Sequence, residues 1–463
     1  MEIKEQITNG DRVKQPVYKN GHLEWYGCNL EELADRYSTP VHVGSSEAVQ
    51  DAVQAFKKLF IDAGLPLRIY YSVKTNPVPV FLDDLQKMDC GFEVVSSFET
   101  TILKRLGIPL NGIIQTGVYD DNTYSLADIK MITVSSLDQM YQLARISEEN
   151  KKPISIGITI RPELLRGYWD ITLNTSRKSS PMGVSPDSVI FKKMLDLIKQ
   201  HQYLNLKGFH MHLGSGIRTA GPFLKGIHAL ENAAIKSAKN GLKIEVLNIG
   251  GGYGSPSAPM MKVRNIVRSL LGLKSSQNTI ENRDIMFTPI VKQLHQTLAK
   301  LKRKGIPINE IAAEPGRILS GPCQLMILTV KEVIRREKQN YLICDGGAMS
   351  LSPMLITEHH KILSITKKNG RLINYEVLGR LPTALDRVSA SAELPAMEPG
   401  DHIALMDTGA YIVSMNNTFS GPRPSIVWIE QGHMEIVRRR ETPDDIFSLD
   451  LKPESLHQII PEH

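Results

Sequence analysis

The chain has 463 residues, of which 41% are apolar and 22% charged, with a formal net charge of +6. That length exceeds one small core and predicts two domains. The mildly basic balance does not call for a nucleic-acid partner, and no run approaches the roughly 20 apolar residues of a membrane span. The four cysteines, Cys28, Cys90, Cys323 and Cys344, form neither a disulfide framework nor a metal-ligand spacing and fit a reducing cytoplasm. Met1 to Lys19 is polar and lacks the apolar centre of a signal peptide. The basic runs 300–304 and 438–440 read as solvated faces.

From about residue 46 to 318, β-rich apolar runs alternate with helical patterns. Strands are expected to end near Lys74, Val95, Thr116, Ser135, Arg161, Leu213, Gly250 and Glu314. Helices are expected over Ser46–Gly64, Val80–Met88, Phe98–Gly107, Tyr124–Met131, Leu137–Glu149, Ser188–His201, Phe223–Gly241 and Pro289–Gly305. Several carry apolar residues at three-and-four spacing, such as Phe191, Met194, Leu195 and Ile198. Eight β/α units over this length predict a TIM barrel; a doubly wound open sheet usually has fewer units. Ser255 to Asp284 reads as an insertion after strand seven.

After Ser320 the pattern changes to strands at Val330–Ile334, Tyr341–Cys344, Ile362–Thr366, Tyr375–Leu378, His402–Met406 and Ser425–Glu430, separated by turns such as Asn369-Gly370. This is an all-β domain, and the first 45 residues are expected to join it.

The expected strand ends carry reactive residues. A lysine at the C-terminal mouth of strand one, Lys74, can form a Schiff base with an aldehyde. Strand two carries Glu93. Strand six leads into His210-Met211-His212-Leu213-Gly214-Ser215-Gly216. Strand seven leads into Asn248-Ile249-Gly250-Gly251-Gly252-Tyr253-Gly254, and strand eight into Glu314-Pro315-Gly316-Arg317. Barrels often bind phosphate after strands seven and eight. Glycines let backbone N–H groups approach an anion, and Arg317 adds a planar cation. A phosphate, an aldehyde for an amine and a ring nitrogen for a carboxylate together describe pyridoxal 5′-phosphate.

The order Tyr71-Ser72-Val73-Lys74-Thr75-Asn76, Gly91-Phe92-Glu93-Val94-Val95-Ser96, the His212 segment, the Gly250 triplet, Glu314-Pro315-Gly316-Arg317, Asp345-Gly346-Gly347 and Asp407-Thr408-Gly409-Ala410-Tyr411 resembles the fold type III pyridoxal-phosphate decarboxylases. These comprise the diaminopimelate, ornithine and arginine decarboxylases. The resemblance covers nearly the whole chain. It implies an alanine-racemase-like barrel over 46–318, with 1–45 and 319–463 forming a β domain that completes the active site. It also implies a homodimer with shared sites and a small-molecule amino-acid substrate; charge, hydropathy and cysteine usage add the expectation of a cytoplasmic protein with no nucleic-acid or membrane partner. In it, Lys74 would hold the cofactor as a Schiff base, His212 would stack on its ring and Glu314 would face the ring nitrogen. Ser215, Gly250, Gly251, Gly252, Gly316, Arg317 and Tyr411 would hold the phosphate. Glu93 and Arg161 count among the cofactor contacts, and Asp386 among the catalytic residues.

The chain departs from that family at Gly379-Arg380-Leu381-Pro382-Thr383-Ala384-Leu385-Asp386. Pro382 stands where the resemblance implies a proton-donating cysteine, and Thr383 where ornithine-type members have an aspartate. Pro181 matches a barrel lysine that often pairs with that aspartate. Arg380 is either solvated or near the substrate, where it would meet an extra carboxylate. The alternatives to a decarboxylase are a racemase using the same cofactor site and an inactive regulatory paralogue. The substrate is open and includes carrier-bound or carboxylated amino acids.

Overall fold

The structure is a computed structural model and describes residues 13–118, 125–162, 182–255, 258, 283–337 and 339–450. Three short strands open the chain: β1 (Val17–Lys19), β2 (His22–Trp25) and β3 (Cys28–Asn29). They form a small sheet, and Leu23 N–H donates to Ile365 O at 2.8 Å. The next strand, β4 (Val41–Ser45), belongs to the large C-terminal sheet.

Eight parallel strands then close into a barrel: β5 (Leu67–Ser72), β6 (Gly91–Val94), β7 (Ile113–Thr116), β8 (Met131–Val134), β9 (Ile154–Thr159), β10 (Leu204–His210), β11 (Val246–Asn248) and β12 (Glu310–Ala313). Buried Tyr70, Ile114, Met131, Val246 and Ala312, drawn from five of these strands, form one cluster. The barrel is a packed core rather than a pore. Tyr70 and Lys130 both bond Glu310, at 2.9 and 2.6 Å.

Serines start four of the helices. Ser45, Ser96, Ser136 and Ser188 accept from the N–H groups of Ala48, Glu99, Gln139 and Phe191, capping the helices Ser46–Ile61, Ser97–Arg105, Leu137–Asn150 and Val189–Gln200. Such caps satisfy N–H groups that a helix end leaves without partners. The helix expected over Tyr124–Met131 is corrected in its described part. Leu126–Asp128 is a single 3-10 turn, and Met131 begins β8. Leu126 and Ile129 are buried at three-residue spacing, which suits a turn of three residues as well as a helix. The expected insertion at Ser255–Asp284 lies almost wholly outside the described residues. The helix after it runs from Arg283 to Arg303, with Pro289 inside it.

The C-terminal strands are β13 (Gln324–Arg335), β14 (Asn340–Cys344), β15 (Ile362–Ser364), β16 (Ile373–Leu378), β17 (Arg387–Leu394), β18 (His402–Leu405), β19 (Ser425–Glu430) and β20 (His433–Arg438). The main path runs β17-β16-β14-β13-β4-β19-β20, with β18 on β13 and β15 on β18. No helix among the described residues is long and apolar enough to cross a membrane.

Candidate active site

Strand β5 ends at Ser72, and one 3-10 turn, Val73–Thr75, carries Lys74 off the strand. Ser72 and Glu93 are register partners on β5 and β6, so Glu93 lies beside that turn. Lys74 Nζ donates to Glu93 Oε2 at 2.7 Å. Ser72 Oγ donates to the same oxygen at 2.6 Å, and Thr116 Oγ1 to Oε1 at 2.8 Å. Burial alone would raise the Glu93 carboxyl. The Lys74 charge and these three bonds outweigh it and hold the group down at about 2. Burial would lower Lys74, and Glu93 outweighs that, so its pKa rises. The lysine side chain remains 35% exposed, which leaves its amine open to the barrel mouth.

A wall of nitrogen and oxygen stands on β10 to β12. His210 is buried; its Nδ1 shares a hydrogen bond with Thr159 Oγ1 at 3.1 Å, and its Nε2 lies 3.3 Å from Glu314 Oε2. Asn248 Nδ2 donates to Glu314 Oε1 at 2.7 Å, and Gly250 N–H donates to Asn248 Oδ1 at 2.9 Å. The His210 and His212 ring centroids are 6.5 Å apart. Burial, then the charges of His210 and Lys74, push the His212 imidazole down to about 4. It is therefore neutral at pH 7 and suited to lie against a ring. Among the described residues, His210, His212 and Glu314 bring one ligand atom each to within 4.8 Å of one another, a spacing that could also hold a metal ion.

The glycine turn after β11 is tightly enclosed. Gly250 has φ +67°, and a Cβ there would come 2.0 Å from Met211 O; one at Gly251 would come 2.2 Å from Glu314 O. The N–H groups of Gly251 and Gly252 take no hydrogen-bond partner among the described residues, so the turn presents donors of the kind that cradle anions. Ser215 is half-buried in the adjoining loop, which bridges Ile217 to Tyr253. Gly316 lies against Thr75, beside Lys74.

Other expected residues have different surroundings. Arg317 is buried, pairs with Glu358 and lies 4.9 Å from the Tyr411 ring centroid, so its charge is already matched. Tyr411 sits in a turn, where its N–H donates to Thr75 O at 2.9 Å. Arg161 follows β9, half-buried, with its N–H on Val184 O at 2.9 Å. Asp386 is fully buried and accepts from the N–H groups of Met349, Ser350 and Leu381 at 2.8, 3.3 and 3.1 Å. That is the geometry of a loop anchor. Pro382 and Thr383 are exposed, and exposed Arg380 donates to Ser420 O at 3.1 Å. Pro181 lies outside the described residues.

Sequence reading gave no role to Asn248, Ser72, Thr116 or Glu358. The first three orient carboxylates across neighbouring strands, and their signal was register. Glu358 is 41 residues from Arg317 and had no local signal.

An open amine beside an orienting carboxylate, a neutral imidazole, a buried carboxylate and a glycine-lined donor turn, all at the C-terminal end of a closed barrel, fit pyridoxal 5′-phosphate. They define a barrel enzyme of the pyridoxal-phosphate class. The comparisons narrow the class further. The chain belongs to the pyridoxal-dependent decarboxylases, whose pyridoxal binding domain matches residues 46–321. Relatives named diaminopimelate decarboxylase include one from Aquifex aeolicus, 26% identical over 94% of this chain and 97% of its own length. Another, from Bacillus subtilis, is 26% identical over 94% and 96%. The solved diaminopimelate decarboxylase of Methanocaldococcus jannaschii shares the fold, with a TM-score of 0.81 and 22% identity over 95% of this chain and 98% of that one. The protein is accordingly a pyridoxal-phosphate-dependent amino-acid decarboxylase.

Proposed function

We propose that decarboxylation takes place at the mouth of the barrel, with Lys74 as the anchoring amine. The observation that carries this reading is the Lys74–Glu93 pair at the ends of neighbouring strands β5 and β6, at the same barrel mouth as His210, His212 and Glu314 on β10 to β12. Bound there, the cofactor supplies a sink for the electrons left when carbon dioxide departs. Glu93, held by Ser72 and Thr116, keeps a proton at Lys74 Nζ and aims it. Neutral His212 would lie against the ring face. Glu314, oriented by Asn248, would hold a proton at the ring nitrogen. Gly250, Gly251, Gly252, Gly316, Ser215 and Tyr411 would take the phosphate, with Arg161 nearby.

The loop 379–386 offers no free acid, because Asp386 is tied by three N–H groups and Pro382 and Thr383 have no acidic group. The α-carbon proton would then come from a group outside this loop, Lys74 Nζ being one candidate, or from water. We assign residues 46–318 to the cofactor-holding unit, and 1–45 with 319–463 to the unit that completes the site in a homodimer. Exposed Leu385, Met415 and Phe419 support a covered face there. The four buried free thiols suit a reducing cytoplasm.

The substrate panel starts with diaminopimelate, after which the relatives are named, and continues through L- and D-amino acids and their carboxylated or carrier-bound forms. Borohydride reduction of the loaded protein, followed by peptide mapping, is expected to find the cofactor on Lys74. Lys74→Ala should abolish both this label and carbon dioxide release. A label on another lysine, or full turnover in the variant, would overturn the assignment. Turnover in heavy water locates the proton added at the α-carbon.

A further inference from the structure

Glu358 is a buried carboxylate that no step above uses. It lies just after the 3-10 helix Pro353–Ile356 and is 3% exposed. One oxygen pairs with Arg317 Nη1, and the other lies 3.2 Å from His360 Nε2. His360 is also buried, and its Nδ1 donates to Met406 O at 2.8 Å. A buried charge is costly unless matched, so a carboxylate here is explained by the cation it holds.

The two arms of this cluster reach the two ends of one turn. Through His360 it meets Met406, next to Asp407, whose φ is +61°. Through Arg317 it meets the ring of Tyr411, whose φ is +64°. Left-handed backbone is unfavourable for both residue types and worst for the bulky one, and it persists where surroundings over-determine it. Tyr411 N–H ends on Thr75 O, one residue from Lys74. Glu358, Arg317 and Tyr411 thus form a connected path from the β domain to the lysine turn.

We propose that Glu358 is a positioning residue that, acting through Arg317, seats Tyr411 beside Lys74 and thereby sets the affinity for pyridoxal phosphate. This rests on the cofactor site assigned above. The test strips the full-length protein of cofactor and titrates it back, following the visible absorbance of bound cofactor. It compares wild type, Glu358→Gln, Glu358→Asp, Arg317→Met and the double variant Arg317→Met/Glu358→Gln.

Glu358→Gln is expected to raise the dissociation constant roughly tenfold, and Glu358→Asp to recover most of that loss, the scale of coupling between residues in contact. In the Arg317→Met background, adding Glu358→Gln should change the constant by less than about twofold, because the residue it acts through is gone. A wild-type constant in Glu358→Gln, or an undiminished loss in the Arg317→Met background, overturns the proposal. Should Glu358→Gln fail to fold, the double variant, with both charges removed, decides: wild-type affinity there also overturns it. A wild-type protein that binds no cofactor at Lys74 would instead sink the site assignment, and this proposal with it.

Discussion

Burial lowers His42, His212 and His359 among the described residues, and His42 and His212 are held low enough to contribute to the acid response. His42, on β4, receives a bond from Asn416 Nδ2 at 3.1 Å; burial and then the Arg438 charge push it down to about 3. His212 is held at about 4. Both lie below the ordinary histidine value of about 6.5, so protonation favours the unfolded chain. Their stabilisation is complete above pH 6.5 and is lost as pH falls toward those lower values, at up to about 1.4 kcal/mol per pH unit for each group. His360 runs the other way. Burial would lower it but Glu358 raises it, so its contribution is lost as pH rises above the ordinary value, outside the acid window. Urea midpoints should therefore fall between pH 6.5 and 4, and His42→Gln should flatten that slope. An unchanged slope would show that His42 does not titrate this way. At this scale the candidate site residues were legible, because Lys74, Glu93, His212 and Glu314 stand in or just beyond strands. Their orienting partners were not. Asn248 meets Glu314 across 66 positions and Thr159 meets His210 across 51, distances over which local pattern carries no information.

The turn after β11 is the element most constrained by backbone. Gly250 combines a left-handed φ of +67° with a Met211 carbonyl where a side chain would begin. Gly250→Ala should cost on the order of 1–3 kcal/mol of stability, and it should weaken cofactor retention by displacing the donors of Gly251 and Gly252. Thermal unfolding and cofactor release check both; an alanine variant that keeps wild-type values would show that the turn can relax. Alternating β and α patterns foretold the barrel because each strand is apolar and each helix has one buried face. The C-terminal sheet was harder to read. In β17, small Ala390 and Ala392 alternate with serines and make a weak apolar signal, and its pairing with β16 shifts register twice. β20 is an edge strand that leaves Ile436 and Val437 exposed, and β4 pairs with strands nearly 300 and 400 residues away.

On the scale of the molecule, one side of the β sheet shares the core of the barrel, while Leu342, Tyr375, Val377 and Leu394 of β14, β16 and β17 belong to a second buried cluster. Val41, Val43, Ile426, Val427 and Trp428 belong to the same buried cluster as the barrel residues Ile69, Phe92 and Phe209. Trp428 fills the space over Gly44, and its Nε1 donates to Ser46 Oγ at 2.9 Å and lies 3.2 Å from Asp84 Oδ2. It thus links the sheet to the helices on either side of β5. Trp428→Ala should cost about 3–5 kcal/mol, and loss of helical signal and release of cofactor should shift together in one transition. Two separated transitions would show that the sheet unfolds on its own.

The sequence by itself determined the chemistry and its carrier: a barrel whose strand ends hold an amine, an imidazole, a carboxylate and a glycine turn. It could do so because β/α alternation and strand-end position are local properties of the chain. Only the tertiary structure decided how the charges are matched. It sets Glu93 against Lys74 and Glu358 against Arg317, and it commits Asp386 to three backbone N–H groups. A buried charge is defined by whatever the fold brings within bonding distance, and those partners come from strands and loops far apart in the chain.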